Sequence, residues 1–244
     1  DCTDPNVVVM NAQLKLYGGV TPNESDESLI KSACGLIEQE PNYRFVAARL
    51  LLGTIYKEVF GEGVDSDAFD YQYRQSFLKN LKELIKTKIL REDLKTLDLK
   101  KIAQALKPER DFQFAYIGLQ TAKDRYLIKK ADKLLESPQA WLMRVAMGLA
   151  IAEKEEDRTE WAIKFYDKLS SFDYMTSTPT LFYSGNVRNQ LSSCFLSTFE
   201  DSIYGIFDGL HQEAQKSKFA GGLGMDFTPF RAGGAYINGT NGYT

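Results

Sequence analysis

Residues 188–202 read RNQLSSCFLSTFEDS, with Cys194 behind two serines, ahead of two apolar residues, and followed by a Glu-Asp-Ser turn. A cysteine so placed either packs as a small hydrophobe or works through its thiolate, attacking, exchanging or being oxidised. Exchange needs a second sulfur within bonding distance, and Cys2 or Cys34 could supply it only through the fold. On thiol chemistry alone, an inert buried cysteine is the preferred reading. Two neighbouring stretches add other chemistry. In TSTPTLFYSG, Thr178 and Thr180 flank Pro179 and offer hydroxyls and amides from a rigid turn, although a well-capped turn explains the pattern as simply. In FAGGLGMDFTPFRAGG, Gly221, Gly222 and Gly224 let backbone N–H groups approach an anion.

That glycine run is neither a Walker loop, having no Lys-Ser or Lys-Thr after it, nor a G-x-G-x-x-G dinucleotide turn. Lys218 before it and Arg231 after it bracket the glycines with positive charge, which favours an anion over a bare turn.

The elements that must carry these residues change character along the chain. A short strand is expected around Val7–Val9 and another over Leu14–Tyr17, before Gly18-Gly19 and Pro22. From Asp26 the period becomes helical, with Leu29, Ile30, Ala33, Leu36 and Ile37 on one face, Ser25 or Asp26 as cap and Pro41 as stop. A second helix carries Phe45, Val46, Ala48, Leu51, Leu52, Ile55, Tyr56 and Val59, and an acidic connection covers residues 61–72. Phe77, Leu78, Leu81, Leu84, Ile85 and Ile89 mark the next helix. The lysines of residues 79–107 are interleaved with Glu83, Glu92, Asp93 and Asp98, so they read as solvated faces and not as a nucleic-acid surface. Ser137-Pro138 opens another helix, and a further one near Thr159–Ser170 should bury Trp161, Phe165, Tyr166 and Leu169. After residue 171 the helical period gives way to loops and short strands at Leu181–Tyr183 and Cys194–Leu196. One last helix, about Ser202–Lys218, carries Ile203, Ile206, Phe207, Leu210 and Ala214 on one face.

The chain has 244 residues, is 43% hydrophobic and carries a net charge of −3 from 30 basic and 33 acidic residues, so it can bury a large core but has no charge-based case for nucleic acid or an anionic membrane. Three widely spaced cysteines form neither a disulfide framework nor a zinc knuckle, no metal ligand set is expected, and a reducing cytoplasm suits them. No stretch approaches the ~20 apolar residues of a membrane helix.

Six segments stand in one order: S-x-P-T-L-F-x-S-G, R-x-Q-L-S-S-C-F-L, D-S-I-x-G-I, S-K-x-A-G-G-L-G, F-R-A-x-G and Y-I-x-G-T-N-G. Together they resemble the N-terminal portion of the large, catalytic subunit of class I ribonucleotide reductase, densely over Thr178–Gly242 and more loosely back to about residue 10. The resemblance implies a mainly α fold with short strands, a helical N-terminal region followed by the first part of the family's ten-stranded α/β barrel. It divides the chain into a partial ATP-cone-like region (1–62), a helical domain (63–171) and the start of the catalytic barrel with a specificity-effector site (172–244).

By the same resemblance, Cys194 is one half of a redox-active dithiol, and Thr178, Thr180, Ser193, Cys194, Gly221 and Gly222 meet a ribonucleoside diphosphate. Asp201, Ser202, Ile203, Lys218, Arg231, Ile237, Asn238 and Gly239 correspond to the deoxynucleotide effector site. A helix start at Ser202 suits phosphate, and the aspartate suits a ribose or base donor. The family chemistry is radical: a thiyl takes the ribose 3′ hydrogen, water leaves from C2′, and a thiol pair reduces the intermediate. No cofactor is expected to bind this chain directly. The thiyl radical would come from a metal-containing small subunit, with deoxynucleotide or ATP effectors accompanied by Mg2+. Implied partners are the C-terminal remainder of the large subunit, the small subunit, a second large subunit, and thioredoxin or glutaredoxin as reductant, with neither nucleic acid nor membrane.

The sequence departs from the family pattern in having no candidate for the thiyl cysteine, its glutamate, the second dithiol cysteine or the relay tyrosines. This chain alone is expected to be inactive. A naturally split subunit is preferred to a truncated chain, since the last residues lie in a Gly/Asn-rich loop. The opening strand motif of an ATP cone is also missing. Competing readings are a deoxynucleotide-sensing module without catalysis, or a part of the adenosylcobalamin-dependent class.

Overall fold

In the computed structural model, residues 3–61, 67–219 and 221–244 are described. Cys2 and residues 62–66 of the expected acidic connection, with the expected domain boundary at 62/63, lie outside them.

Helix-start chemistry overrides β-propensity at the N-terminal end. Asp4 caps α1 (Pro5–Gln13) by accepting from the Asn6 amide at 2.8 Å, and Pro5 occupies the first turn. The expected strand at Val7–Val9 is therefore helical, and Leu14–Tyr17 forms no strand but the turn after it. The cap of α2 (Pro22–Gly35) is Thr21, not Ser25 or Asp26. Its hydroxyl accepts from the Glu24 amide while the Glu24 carboxylate accepts from the Thr21 amide, and the reciprocal pair starts the helix at the proline. Val8, Ala33, Leu36, Tyr43 and Ala47 form the core joining α1, α2 and α3 (Tyr43–Phe60).

The chain continues through α4 (Phe69–Lys86), α5 (Leu99–Gln104), α6 (Tyr116–Thr121), α7 (Pro138–Ala150) and α8 (Arg158–Ser170), with a two-residue hairpin pair, β1 (Lys129–Lys130) and β2 (Lys133–Leu134). Helix α7 is buried at almost every position from Pro138 to Ala150, so neighbours surround it. On α8, Ala162, Tyr166 and Leu169 face inward. Trp161, expected to be buried, lies a quarter-turn away from them, 36% exposed, with the Lys164 ammonium 4.6 Å above its ring.

Two buried polar hubs hold these helices. Asp111 is fully buried. Its Oδ2 accepts from the hydroxyls of Tyr56 (2.8 Å) and Tyr73 (2.9 Å), and its Oδ1 from the Gln139 amide group (3.0 Å), which ties α3, α4 and α7 to one carboxyl. With three donors and no cation, burial still dominates and pushes the Asp111 pKa up to about 7. The second hub is Arg144, also fully buried, paired with Glu136 and donating to the Ser184 carbonyl at 2.7 Å.

The chain divides into two compact units. One comprises Asp1–Met175 with Ser184–Val187, and the other Thr176–Tyr183 with Arg188–Thr244. The loop 184–187 belongs to the helical unit through Ser184 Oγ donating to the Val145 carbonyl (2.7 Å) and the Val187 amide donating to Ile89 (3.1 Å). Gly185 has φ +82° and Gly148 lies against it. A Cβ on Gly148 would fall 2.1 Å from the Gly185 nitrogen, so both positions demand glycine.

The second unit holds α9 (Thr178–Tyr183), α10 (Ile203–Lys218), and the parallel pair β3 (Cys194–Thr198) and β4 (Gly222–Asp226). Leu181–Tyr183, expected as a strand, is the end of α9. Pro179 in its first turn suits a helix start. The fold is thus mainly helical with few short strands, and the start of a barrel in place of a closed one. Among the described residues no helix is long and apolar enough to cross a membrane.

Candidate functional site

Strand alternation decides which way the thiol points. Along β3, Cys194, Leu196 and Thr198 are exposed, whereas Phe195 and Ser197 are half-buried on the opposite face. Parallel pairing sets Cys194 beside Gly222, Leu196 beside Gly224 and Thr198 beside Asp226. The Gly222 amide donates to the Ser193 carbonyl at 2.7 Å, which locks the register at the thiol. Cys194 Sγ lies 3.6 Å from where a Cβ on Gly222 would stand, and Leu196 Cδ2 lies 2.7 Å from the same point on Gly224. The absent side chains therefore leave one sheet face on which the thiol is open. The inert buried cysteine favoured by residue chemistry is overturned, because Cys194 is exposed and free.

Helix α10 covers the other face, with a stripe the sequence does not announce. Gly209 meets the buried ring of Phe199, where a Cβ would come within 2.6 Å, and Glu213 is buried one turn on. The apolar row of this helix points outward. Ile203 is 78% exposed, Phe207 68% and Leu210 50%. Glycine explains the direction, since it lets the helix approach the sheet closely along 205–209 and turns the bulky residues away.

At the start of α10, Ser202 caps the helix through Gly205 (2.9 Å). Next to it, Arg231 Nε donates to Asp201 Oδ2 at 2.6 Å and its backbone amide donates to the same oxygen at 3.2 Å. These bonds from Arg231 hold the Asp201 carboxyl below the ordinary carboxylate range. Asp201, Ser202, Ile203 and Arg231, scattered over thirty residues of sequence, are thus gathered at one helix N-terminus. Lys218 is not among them. It ends the same 16-residue helix, about 24 Å away along its axis. Ile237, Asn238 and Gly239 sit in a turn closed by the Thr240 amide on the Ile237 carbonyl (3.2 Å), with Gly239 at φ +81°.

Thr178 is exposed at the start of α9. Thr180, expected to meet the ribonucleoside diphosphate, is buried, and its hydroxyl donates to the Leu191 carbonyl at 3.1 Å, which holds α9 against the segment leading to Ser193. Ser193 is half-buried, Gly221 half-buried and Gly222 exposed. Sequence reading missed Gln190. Its side chain accepts from the Ser192 amide (2.6 Å) and donates to the Ser192 and Phe219 carbonyls (2.9 and 3.3 Å), bracing an open groove lined by Arg188, Leu191, Phe195 and Phe219. The residue stands inside the recognisable R-x-Q-L-S-S-C segment, which was the available signal.

Comparison with known proteins is consistent with this geometry. Residues 112–189 match a family model described as the ribonucleotide reductase all-alpha domain, and residues 192–244 one described as its barrel domain. Curated relatives include the ribonucleoside-diphosphate reductase subunit alpha of Chlamydia muridarum, 42% identical over 99% of this chain and 23% of its own length. The subunit alpha of Helicobacter pylori is 39% identical over 94% of this chain and 28% of its length. The large subunit of Monkeypox virus is 37% identical over 99% of this chain and 31% of its length. The chain thus spans between 23% and 31% of the length of these relatives.

Proposed function

This chain belongs to the ribonucleotide reductase family, spanning its all-alpha domain and the start of its barrel, and from that premise we propose that it supplies one redox thiol and the effector-binding helix start of a ribonucleoside-diphosphate reductase. One observation carries the reading: Cys194 is exposed on a sheet face beside Gly222, which places no side chain across from the thiol. Parallel sheets are ordinarily covered on both faces, so the bare face on which the thiol stands calls for more chain over it. The remainder of the large subunit, about three-quarters of the relatives' length, is the fitting cover.

In this reading the ribonucleoside diphosphate lies over the Cys194–Gly222 face, and Ser193 and the Gly221–Gly222 backbone meet it. The Cys194 thiol and a second thiol from the remainder of the subunit deliver two electrons and two protons. The ribose C2′–O bond breaks, C2′–H and water form, and the two sulfurs close into a disulfide. A dithiol protein such as thioredoxin or glutaredoxin reopens it by exchange, which places the reaction in a reducing cytoplasm. The thiyl radical that takes the ribose 3′ hydrogen would originate at a metal-containing small subunit.

The helix start at Ser202, with Asp201 and Arg231, receives the deoxynucleotide effector: the cation and free amides suit phosphate, and the aspartate suits a ribose or base donor. Mg2+ in this reading accompanies the effector phosphates. A second copy of the large subunit covers the outward face of α10.

The test is Cys194→Ser in the assembled reductase. Loss of turnover driven by a dithiol reductant, with effector affinity kept, is the expected result. Retained turnover would make the chain a nucleotide-sensing module and overturn the redox assignment.

A further inference from the structure

The residues that fix the thiol strand against the glycine loop lie on the buried side of α10. Lys216 Nζ donates to Ser197 Oγ on β3 and to Glu213 Oε1 at 2.7 Å, and it stands 5.9 Å from the centre of the Phe195 ring. The backbone carbonyl of the same lysine accepts from the amides of Phe219 (3.1 Å) and Gly221 (3.2 Å). Phe195, next to Cys194, presses against Gly221, where a Cβ would meet the ring at 2.7 Å. One residue therefore holds the strand through its side chain and the loop through its main chain.

Glu213 supplies the balancing charge. Its side chain is 5% exposed and that of Lys216 25%, so the pair is screened from water far better than the other charges of α10. Hydrogen bonds from Lys216 and then Ser197 hold the Glu213 carboxyl below its ordinary range. A buried ion pair is a poor source of net stability compared with apolar packing, but it fixes geometry, because each charge tolerates few alternative placements. Its position on the face away from the open thiol means that neither residue can touch what binds over Cys194.

We propose that Lys216, charge-balanced by Glu213, is a positioning residue that sets the Gly221–Gly222 backbone against the Cys194 strand for substrate binding. The proposal rests on the reading that this face takes a ribonucleoside diphosphate. Removing the ammonium releases β3 at Ser197 from the helix end whose carbonyl holds the loop, so strand and loop lose their common register without any reacting group being altered, and the loss falls on binding and not on the chemical step.

The experiment uses the assembled reductase with Lys216→Met, which keeps the stem, and Lys216→Arg, which keeps the charge. For Lys216→Met the expected result is a KM for ribonucleoside diphosphate raised about tenfold, the equivalent of one charge-assisted hydrogen bond, with kcat within about twofold of the parent. Lys216→Arg should restore most of the loss. If Lys216→Met does not fold, Ser197→Ala removes only one hydroxyl and should raise KM in the same sense. An unchanged KM, or a fall in kcat that matches a fall in thermal midpoint, overturns the positioning role. Cys194→Ser run alongside separates the two failures: if it abolishes turnover while KM of the lysine variant is unchanged, only this inference falls.

Discussion

Arg144 and Glu136 form a buried pair, Nε to Oε1 at 2.6 Å, with side chains 1% and 5% exposed. The guanidinium spends its remaining reach on the Ser184 carbonyl at 2.7 Å and the Tyr126 carbonyl at 3.4 Å. It therefore fixes the loop 184–187 to the helical unit, with the segments carrying Thr180 and Ser193 continuing from its two ends.

Removing one partner leaves a buried charge alone. Arg144→Met or Glu136→Gln should each destabilise the fold by about 3–5 kcal/mol, whereas the double change to apolar residues should recover much of that. Urea unfolding midpoints of the four proteins decide it, and additive losses would contradict the pairing.

Asp111 predicts a pH dependence. An unfolded aspartate releases its proton near 3.8, whereas the folded one keeps it to about pH 7. Between those values the folded state binds more protons than the unfolded state, so this contribution to stability is fully present below 3.8, falls as pH rises and is lost above about pH 7. The tyrosines facing it, Tyr56 and Tyr73, are pushed upward by burial and by the same carboxylate, so they do not titrate in that window. Unfolding free energies of the parent and Asp111→Asn at pH 5 and pH 8 should diverge, with the parent losing more on the way up. Parallel behaviour would remove Asp111 as the cause.

At the helix start, Asp201→Ala and Arg231→Ala should each weaken deoxynucleotide binding by about tenfold in the assembled protein, in line with loss of one charged hydrogen bond. The Arg231 effect should shrink as salt rises. Equilibrium binding at two ionic strengths measures both, and unchanged affinity in the two variants would move the effector elsewhere.

The outward stripe on α10 gives a prediction for assembly. Phe207→Asp places a charge in the middle of the exposed apolar row Ile203, Phe207, Leu210 and should convert a dimeric large subunit to monomer in sedimentation velocity. A variant that sediments as the parent does would show that another surface joins the copies.

Much of this was legible in the sequence because the signals are local. Helices α2, α3, α4, α7 and α8 follow apolar spacing, Ser137-Pro138 marks the start of α7, and the ordered segments around Cys194 identify the family by residue identity alone. The errors were local too. Valines at 7–9 suggested a strand, yet an aspartate cap and a proline one residue later made a helix. What the sequence could not contain was direction. Whether Cys194 was buried or open depended on which face of β3 the helix covered. That depended on Gly209 admitting the ring of Phe199, and on Glu213 and Lys216 closing over Ser197. Residue types and spacing are properties of one stretch of chain. The side a residue faces is set by packing between stretches far apart in sequence, so only the tertiary structure could turn the apolar row of α10 outward and leave the thiol on the open face.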